Sequence, residues 1–584
     1  MTRIPHVLAL VAVLFATLSC GDLLDMRSGV SLELSPTQAE LQPVGTQEFT
    51  ATVTGTEDKD VEWSATDGTI VGTGATVTFV APSRLGTHTV TARSVADPAT
   101  AASATVSVHA GTEFEPVPSY VVVDNTTLLP TDGEAGTRDI RFDIGWNESW
   151  HGPYRPSYVE AEDNWDAAWV FVKYRTDAGP WLHASIRTSG HTQPPGVAID
   201  TPADGRGVFV YREAPGYGTF EAYGVQLAWD IEADGLNPDA DVEVLVHGID
   251  MVFVPQGSFF LGTGGTEWNP FREGSTTEPF EVVAQAAIHL GSAAGQLNWV
   301  TGNASGEPVG HTNPAFLTGF EAFYMMKYEL TQGQYVAFLN TLTQEQAEAR
   351  LRSSCEGAFR YAITGSSPGA YHTSLPYVAM PCMSWADGAA FADWAGLRPL
   401  TELEFEKAAR GPMPPLTSPS PCLQEYVWGT TRATYATGFT DAGLISERPS
   451  PQEANVNSSH CRLESMPGVP LRVGSFAAPG KTREQAGAAF YGVLDLAGNV
   501  QEPIVTVGNP QGRAFTGTHG DGTIDPNGDA NEAGWPGADG IGGGVRGGGY
   551  YSGVWSLWTS SRWLSADENL GWHEAGWRGV RSAP

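Results

Sequence analysis

Cysteines are the most reactive side chains in this sequence. Four of the five, Cys355, Cys382, Cys422 and Cys461, fall in the C-terminal half, and Cys20 stands apart near the N-terminus. The spacings of the four fit no zinc-binding pattern. An even number of cysteines in an exported chain predicts two disulfides, with three possible pairings.

A segment rich in Gly, Asp and Asn, residues 509–539, could hold a cation. Asp521, Asp525, Asn527 and Asp529 superficially resemble the oxygen ligands of calcium loops. The spacing does not fit an EF-hand, because the terminal Glu is missing. We expect an ordered surface loop, with weak cation binding as the alternative.

The sequence gives little support to hydrolytic chemistry or to nucleic-acid binding. A Ser/His/Asp triad could be assembled from scattered residues, but no spacing singles one out. The formal net charge is -34, from 66 acidic and 32 basic residues. A surface this acidic repels phosphate backbones, so we expect no nucleic-acid partner.

The first 20 residues predict export. Arg3 precedes an apolar run, Val7–Leu18, that is too short to span a bilayer but has the length of a signal-peptide core. The run ends in Thr17-Leu18-Ser19-Cys20-Gly21, which resembles a bacterial lipoprotein signal in which Cys20 becomes the lipidated first residue. We expect a signal peptide over residues 1–20 and a lipid anchor in the bacterial cell envelope, at the outer membrane or the cell surface. Because Thr17 replaces the usual Leu, a plain secretory signal is one alternative. An N-terminal membrane helix is a separate alternative.

Residues 29–109 have the pattern of an all-β domain. Alternating runs such as Glu48–Val53 and Thr87–Ala92 are separated by Gly, Pro and Asp turns, as in a β-sandwich. The stretches Val61–Ser64, Asp67–Ile70 and Phe79–Pro82 resemble bacterial immunoglobulin-like repeats, which are spacers or adhesion units. Trp63 is then expected in the core between two sheets.

A second β-rich segment, residues 116–249, predicts another β-sandwich. It is unusually rich in tryptophan: Trp146, Trp150, Trp165, Trp169, Trp181 and Trp229. Buried rings that anchor a core are the expected role. Exposed rings that stack on sugars are the alternative, because sequence alone does not separate the two.

Local signals place helices in residues 250–584. Thr331 is a plausible N-cap, and Tyr335, Phe338, Leu339 and Leu342 follow it at helical spacing. Ser384 opens a second helix, which we expect to stop at Gly396. Thr401 and Glu404 form a capping box for a third helix, with Gly411 at its end.

The same region resembles the formylglycine-generating enzyme, or sulfatase-modifying factor, family. The resemblance rests on matches in order over about 330 residues: Met251–Gly262, Phe323–Thr331, Trp385–Gly411, Tyr426–Gly429, Ala454–Val456, Tyr491–Glu502, Arg546–Tyr550 and Gly579–Arg581. Residues 263–321 appear as an insertion. The resemblance implies a loop-rich α+β variant of the C-type lectin fold, following an immunoglobulin-like sandwich and a second β-sandwich.

The resemblance also implies where metals would bind. Family members that oxidise cysteine hold copper with two thiolates after the Arg-Gly-Gly strand, and the corresponding positions here are Ser552 and Leu557. No cysteine follows Cys461, so we expect no copper and no oxidase activity of that type. An iron-binding His-x-x-x-His-x-Glu helix, found in a related branch, has no match among the 13 histidines.

Calcium is the cofactor that the resemblance supports. By carry-over, the carboxylates of Asp495 and Glu502 and the carbonyls of Gly498 and Val500 would bind a structural calcium ion. A second family site would begin at Asn455. A tight turn with solvated carboxylates is the alternative for the first loop.

The last 40 residues mix aromatic residues with Ser, Gly and Asn. In the family's enzymes this region lines the substrate cleft, and in variable proteins of diversity-generating retroelements it is the ligand-binding face. We expect a binding face made of Tyr550, Tyr551, Trp555, Trp558 and Trp563. Core packing of these rings is the alternative.

Together these features predict a surface-anchored, non-catalytic binding protein. Its partners would be a protein, peptide or glycan at the aromatic face, and the membrane through the lipid anchor. The alternative is an enzyme of the same superfamily with a non-standard site that acts on exported substrates. A purely structural envelope protein is a third hypothesis.

Overall fold

The computed structural model describes residues 29–41, 46–81, 86–108, 120–130, 136–177, 179–263, 267–302, 304–416, 424–459, 468–567 and 572–584. The chain divides into two compact units, Met1–Ala110 and Gly111–Pro584. The predicted signal peptide and Cys20 lie outside the described residues. Within the described ranges, no helix has the length and hydrophobicity needed to cross a membrane.

The N-terminal unit is a sandwich of two four-stranded sheets, β1-β3-β6-β5 and β2-β8-β7-β4. Its strands are β1 (Ser31–Ser35), β2 (Gln38–Leu41), β3 (Thr46–Thr54), β4 (Val61–Ala65), β5 (Thr69–Val71), β6 (Thr76–Val80), β7 (Gly86–Ser94) and β8 (Ala101–Val108). The fully buried rings of Phe49 and Phe79 meet edge to face in the core. Trp63 is only half-buried on the edge strand β4, and its indole N–H donates to Gly74 O at 2.9 Å. The immunoglobulin-like sandwich is confirmed, but two phenylalanines rather than Trp63 lie at its centre.

The second unit contains the remaining strands, and most of them are short. They are β9 (Val122–Leu128), β10 (Arg138–His151), β11 (Asp166–Arg175), β12 (Leu182–His183), β13 (Val197–Asp200), β14 (Val208–Arg212), β15 (Gly216–Trp229), β16 (Glu243–Val254), β17 (Phe259–Leu261), β18 (Arg272–Glu273), β19 (Phe280–Val282), β20 (His289–Leu290), β21 (Leu297–Asn298), β22 (Gly310–His311), β23 (Phe323–Met326), β24 (Ile363–Thr364), β25 (His372–Thr373), β26 (Arg398–Pro399), β27 (Gly438–Thr440), β28 (Arg448–Ser450), β29 (Glu502–Val505), β30 (Gly543–Arg546) and β31 (Gly579–Ser582).

One eight-stranded sheet joins the second sandwich to the C-terminal region. Its order is β13-β14-β11-β16-β23-β31-β26, with β12 paired to β11. Because side chains alternate along a strand, β11 serves two cores: Val170 and Val172 pack toward the sheet β15-β10-β9, while Trp169 and Phe171 pack toward the helices. The predicted division between residues 249 and 250 falls inside β16, which pairs with both β11 and β23.

Among the described residues, six short α-helices begin at the predicted caps or at similar ones. They are α1 (Gln332–Leu339), α2 (Gln344–Arg350), α3 (Trp385–Trp394), α4 (Glu402–Arg410), α5 (Arg483–Ala486) and α6 (Pro510–Arg513). Capping boxes occur at Thr331, Ser384 and Thr401. Gly396 and Gly411 follow α3 and α4 with positive φ angles of 67°, which glycine adopts without strain. The α+β, loop-rich fold predicted for this region is confirmed.

The described residues of the expected insertion, 263–321, pack into the fold. It forms part of the two-stranded sheet β17-β19 and the four-stranded sheet β18-β21-β20-β22. Phe271, Trp299 and Phe316 from this segment are fully buried and join the main apolar core. The insertion is therefore an integral layer beside the segment that follows β30.

Candidate ligand-binding site

Ser552 stands where the family's first copper thiolate would be expected. Its hydroxyl accepts hydrogen bonds from Gly549 N at 2.9 Å and Gln501 Nε2 at 3.1 Å, and it donates to Glu574 at 3.0 Å. Both lone pairs and the proton of the hydroxyl are thus used within the protein. Because the side chain is also buried, this arrangement does not present Ser552 as a nucleophile.

Glu574 closes this hydrogen-bond network. Its Oε1 accepts from Gln501 Nε2 at 2.8 Å, and its Oε2 accepts from Tyr551 N at 3.0 Å as well as from Ser552. Burial raises the pKa of Glu574, although these hydrogen bonds oppose the shift. The carboxyl group therefore holds the turn at residues 549–552 in place.

Leu557, at the second thiolate position, is fully buried in an apolar cluster with Tyr550 and Trp558. A hydroxyl group and an isobutyl group offer no pair of soft ligands, so the residues present do not fit the family's copper site. The cavity beside Ser552 is small, about 20 Å³, and is lined in part by Gln501 and Trp563. It has room for about one water molecule, so a larger ligand would have to lie on the surface.

Three tryptophan rings meet at that surface. We call Trp268, Trp555 and Trp563 the tryptophan cluster. The ring centroids of Trp268 and Trp563 lie 4.5 Å apart at 80°, and those of Trp555 and Trp563 lie 6.5 Å apart. Trp268 is 43% exposed and Trp555 38% exposed. Large exposed rings grouped in this way are typical of a binding surface.

A second group of rings surrounds His573. Tyr551, 63% exposed, meets the imidazole edge to face at 5.5 Å, and Phe359 stacks on it at 4.3 Å. Tyr550 OH donates to His573 O at 2.8 Å from within the core. The exposed rings therefore rest on a buried, hydrogen-bonded support.

The five residues of the predicted aromatic face differ in their solvent exposure. Tyr551 and Trp555 are exposed and Trp563 is half-buried, whereas Tyr550 and Trp558 are buried and cannot contact a ligand. Tyr550 and Trp558 depart from the prediction because their side chains point into the apolar core around Leu557. Trp268 and Phe359 were missed, because they lie far from the C-terminal segment in sequence. The sequence signal that could have identified Trp268 was the presence of a tryptophan inside a polar insertion.

A buried network of ion pairs lies beneath the tryptophan cluster. Glu402 binds Arg562 through two hydrogen bonds of 2.9 and 3.1 Å and contacts Arg546 at 3.3 Å. Arg546 also binds Glu406 at 2.8 Å, and Arg410 binds Glu425 at 2.7 Å. The backbone N–H of Arg562 donates to Trp268 O at 2.8 Å. This network fixes the insertion against the segment that carries Trp555 and Trp563.

The predicted calcium loop contains a surplus of buried negative charge. Glu329, Asp495 and Glu502 are all buried, and Arg578 pairs with Glu502 at 2.7 Å. Burial raises the pKa of each carboxyl group, and the charges of Asp495 and Glu502 raise that of Glu329 further. Glu329 was missed by sequence reasoning, because it follows β23 and reaches the loop only through the fold.

Several oxygen atoms of the predicted calcium loop lack hydrogen-bond partners among the described residues. Glu502 Oε2 is buried without a hydrogen-bond partner among the described residues. Nor does any described N–H group reach the carbonyl oxygens of Gly498 or Val500. The φ angles of Asp495 and Gly498, 57° and 83°, give the loop its tight turn. If bound, calcium would add positive charge to a cluster of three buried carboxyl groups of which Arg578 pairs with only Glu502.

Asn455, unlike Glu502 in that loop, has both of its side-chain polar groups hydrogen-bonded. Its side-chain oxygen accepts from Thr434 N at 2.8 Å, and its amide donates to Glu484 O at 2.7 Å. The carbonyl of Val456 accepts from Ala436 N at 2.9 Å. These bonds give Asn455 a structural role, and its role as a metal ligand stays a prediction.

The Asp-rich segment is ordered, as expected. Carboxylate oxygens of Asp393, Asp521 and Glu532 lie within 4.8 Å of one another. Burial raises the pKa of Asp393 to about 7, although its oxygens accept hydrogen bonds from the backbone of Asn531 and Asp521. Asp525 instead accepts from the backbone of Asn527 and Asp529 and shapes its own turn.

One disulfide, Cys355–Cys382, is present among the described cysteines. It ties the turn after α2 to the segment before α3, and Cys382 N donates to His573 O at 3.2 Å. Cys422 and Cys461 lie outside the described residues.

The fold and the capped helices define a lectin-like unit of the kind predicted. Residues 242–583 match the family model described as "Sulfatase-modifying factor enzyme 1-like domain". The match covers more than half of the chain, which therefore belongs to the sulfatase-modifying factor family. A search of curated proteins gives no match. Among solved structures, a chain titled "Marsupial T cell receptor" matches with 9% identity and a TM-score of 0.12, covering 38% of this chain and 91% of that chain. A score this low carries no argument.

Proposed function

We propose that this chain is a non-catalytic ligand-binding member of the sulfatase-modifying factor family. Its ligand is a protein, peptide or glycan that lies on the tryptophan cluster and on Tyr551. A lipid on Cys20 anchors the chain at the bacterial surface, and a structural calcium ion occupies the loop from Asp495 to Glu502.

The observation that carries this proposal is the closed hydrogen-bond network around Ser552. The hydroxyl has no free lone pair, Leu557 is packed in the core, and the adjacent cavity holds about one water molecule. Reactive groups in enzyme sites are usually poised toward a substrate-sized pocket. Here the groups that face solvent are aromatic rings instead, which favours binding over chemistry.

The test is a glycan and peptide array probed with the exported chain and with single variants. Trp555→Ala should weaken binding of any ligand found by at least about tenfold, because aromatic anchors dominate interface energies. Tyr551→Ala should also reduce the signal. Tyr154→Ala is a matched control, because Tyr154 is 62% exposed, nearly the same as Tyr551, and lies in the sandwich. Unchanged binding by both site variants would remove the aromatic face from the proposal.

The rival hypothesis, an enzyme, has a separate test. The chain is incubated with copper and a cysteine-containing peptide, and oxygen consumption and the peptide mass are followed. We expect no oxygen uptake and no formylglycine. Copper-dependent conversion of the peptide would refute the non-catalytic proposal even if the array also gave a ligand.

A further inference from the structure

A second cavity lies on the sandwich side of the same unit, and neither the family match nor the proposed function assigns it a role. Its volume is about 300 Å³, within the range of small-molecule sites. Asn147, Glu148 and Tyr217 from the β10–β15 hairpin form one wall. Arg448 and Arg472 form the opposite wall.

The hairpin wall is shaped by an irregularity in the strand pairing. The pairing of β10 with β15 shifts register between Phe142 and Ile144 and again between Trp146 and Ser149, and Asn147 and Glu148 form the bulge at the second shift. Glu148 has a φ angle of 55°, in the left-handed region that residues other than glycine rarely adopt. Bulges and strained residues of this kind concentrate beside functional sites, where they re-aim side chains. Here the bulge brings Glu148 to the cavity wall.

The opposite wall carries the positive charges of two arginine side chains. Arg472 is buried, and its guanidinium donates to Tyr120 OH at 3.0 Å and to Glu447 O at 3.0 Å. The half-buried guanidinium of Arg448 makes no ion pair or hydrogen bond that involves a described residue. Burial and then the Arg472 charge lower the pKa of Arg448, while Tyr120, Glu148 and Asp441 oppose the shift. An anion beside Arg448 would offset the repulsion between the two guanidinium groups.

The other residues of the cavity wall indicate which further chemical groups the ligand has. The ring of Tyr217 is nearly half-exposed, and Ala477, Ala478 and Pro479 add apolar surface. Glu148 contributes an acceptor that repels a small dianion but receives hydrogen bonds from hydroxyl groups. With a net charge of -34, the chain as a whole disfavours nonspecific anion binding.

We propose that this cavity binds a hexuronic acid residue. The sugar carboxylate pairs with Arg448, one face of the ring packs on Tyr217, and a hydroxyl group donates to Glu148. The site does not depend on the tryptophan cluster, so either proposal can fail without the other.

The test is isothermal titration of the full chain with glucuronic acid, compared with glucose and with inorganic phosphate. We expect glucuronic acid to bind at least about tenfold more tightly than either comparator, because the charge-assisted pair and the ring contact are both required. Equal binding of glucose would overturn the role of Arg448. Equal binding of phosphate would overturn the sugar contact, and no binding of glucuronic acid would overturn the proposal.

Two pairs of variants separate recognition from folding. Arg448→Gln should weaken glucuronic acid binding at least about tenfold, whereas Arg432→Gln, which removes the same charge from an exposed site, should leave it unchanged. Tyr217→Phe should retain binding and Tyr217→Ala should lose it. Retained affinity in Arg448→Gln would overturn the proposal, and so would loss of affinity in Arg432→Gln.

Discussion

Replacing Arg562 by Met tests whether the buried ion pairs hold the tryptophan cluster in place. The guanidinium binds both oxygens of Glu402 at 2.9 and 3.1 Å and lies between the rings of Phe271 and Trp299, about 4 Å from each centroid. Met retains much of the apolar volume but removes the charge. The substitution therefore leaves Glu402 buried with a weaker counter-charge.

The expected cost is about 3 kcal/mol. Breaking a buried ion pair by removing one partner costs roughly 3–5 kcal/mol. The lower end applies, because Glu402 keeps Arg546 at 3.3 Å and hydrogen bonds from Thr506 and Val507. For a compact unit of the size of Gly111–Pro584, the unfolding entropy is on the order of 1 kcal/mol/K, so the melting temperature should fall by about 3 °C.

The effect should depend on pH in a defined direction. Burial by itself would raise the pKa of Glu402, but the guanidinium charges of Arg562 and Arg546 outweigh it and hold the pKa below its usual value. In the wild type this carboxylate stabilises the fold above about pH 4.5 and loses that contribution as pH falls through its folded pKa. Without Arg562 the folded pKa rises, so the variant should lose more stability at pH 8 than at pH 5.

Tryptophan fluorescence during heating measures this unit, because Trp63 is the one tryptophan of the 18 that lies before residue 111. Arg432→Met is the matched control. Arg432 is 78% exposed and pairs with Glu484 at 3.0 Å, so its loss should cost less than about 0.5 kcal/mol. A melting temperature for Arg562→Met within 1 °C of the wild type at pH 8, or a shift equal to that of the control, would refute the reasoning.

Three further perturbations follow from the buried charges and the disulfide. Removing calcium with EDTA should lower the melting temperature by about 3 °C when calcium was present at about 100 times its Kd. Glu502→Gln should abolish this shift, whereas Glu484→Gln should not. Equal responses in the two variants would contradict the loop assignment. Because the folded pKa of Asp393, about 7, lies above its ordinary value, this group should reduce stability as pH rises from about 4 through 7. Asp393→Asn should flatten that part of the melting profile, and an unchanged slope would count against it. Replacing both Cys355 and Cys382 by Ala should lower stability by about 3–4 kcal/mol, given the sequence separation of 27 residues, and a change below 1 kcal/mol would be inconsistent with an intact disulfide.

Local signals predicted the helices well because a cap acts within one turn. The Thr401 hydroxyl accepts from Glu404 N at 3.2 Å, and Thr401 N donates to Glu404 Oε2 at 3.1 Å, as the sequence pattern indicated. Gly411 ends α4 with a positive φ angle. These features need no information from distant residues.

The continuous eight-stranded sheet was not predictable in the same way. β16 pairs with β11, about 80 residues earlier, and with β23, about 70 residues later. An apolar strand that is buried on both faces gives no sequence signal of its partners. The placement of Trp268 beside Trp563 depends on the same kind of long-range pairing and was missed for the same reason.

The sequence also did not predict which individual aromatic residues are buried. Tyr550 and Tyr551 are adjacent and chemically alike, yet the first is fully buried and the second is among the most exposed rings. In this irregular segment neither a helical nor a strand period assigns faces, so composition identified the region but not the contacting rings. The turn closed by Ser552 and Glu574 decides which ring points outward.

The side chains of Ser552, Gln501 and Glu574 have to be considered together when function is inferred from them. A serine at a thiolate position could still be reactive if its hydroxyl faced a pocket, but Gln501 and Glu574 bond to it and to each other. Opening this triangle to admit a substrate would leave a buried carboxyl group and a buried amide without partners, at about 1–3 kcal/mol for each group. The Trp555 and Tyr551 rings, in contrast, already face solvent and lose no hydrogen bond when a ligand covers them. Binding at the rings is therefore the less costly use of this surface, and it leaves the Ser552 network intact.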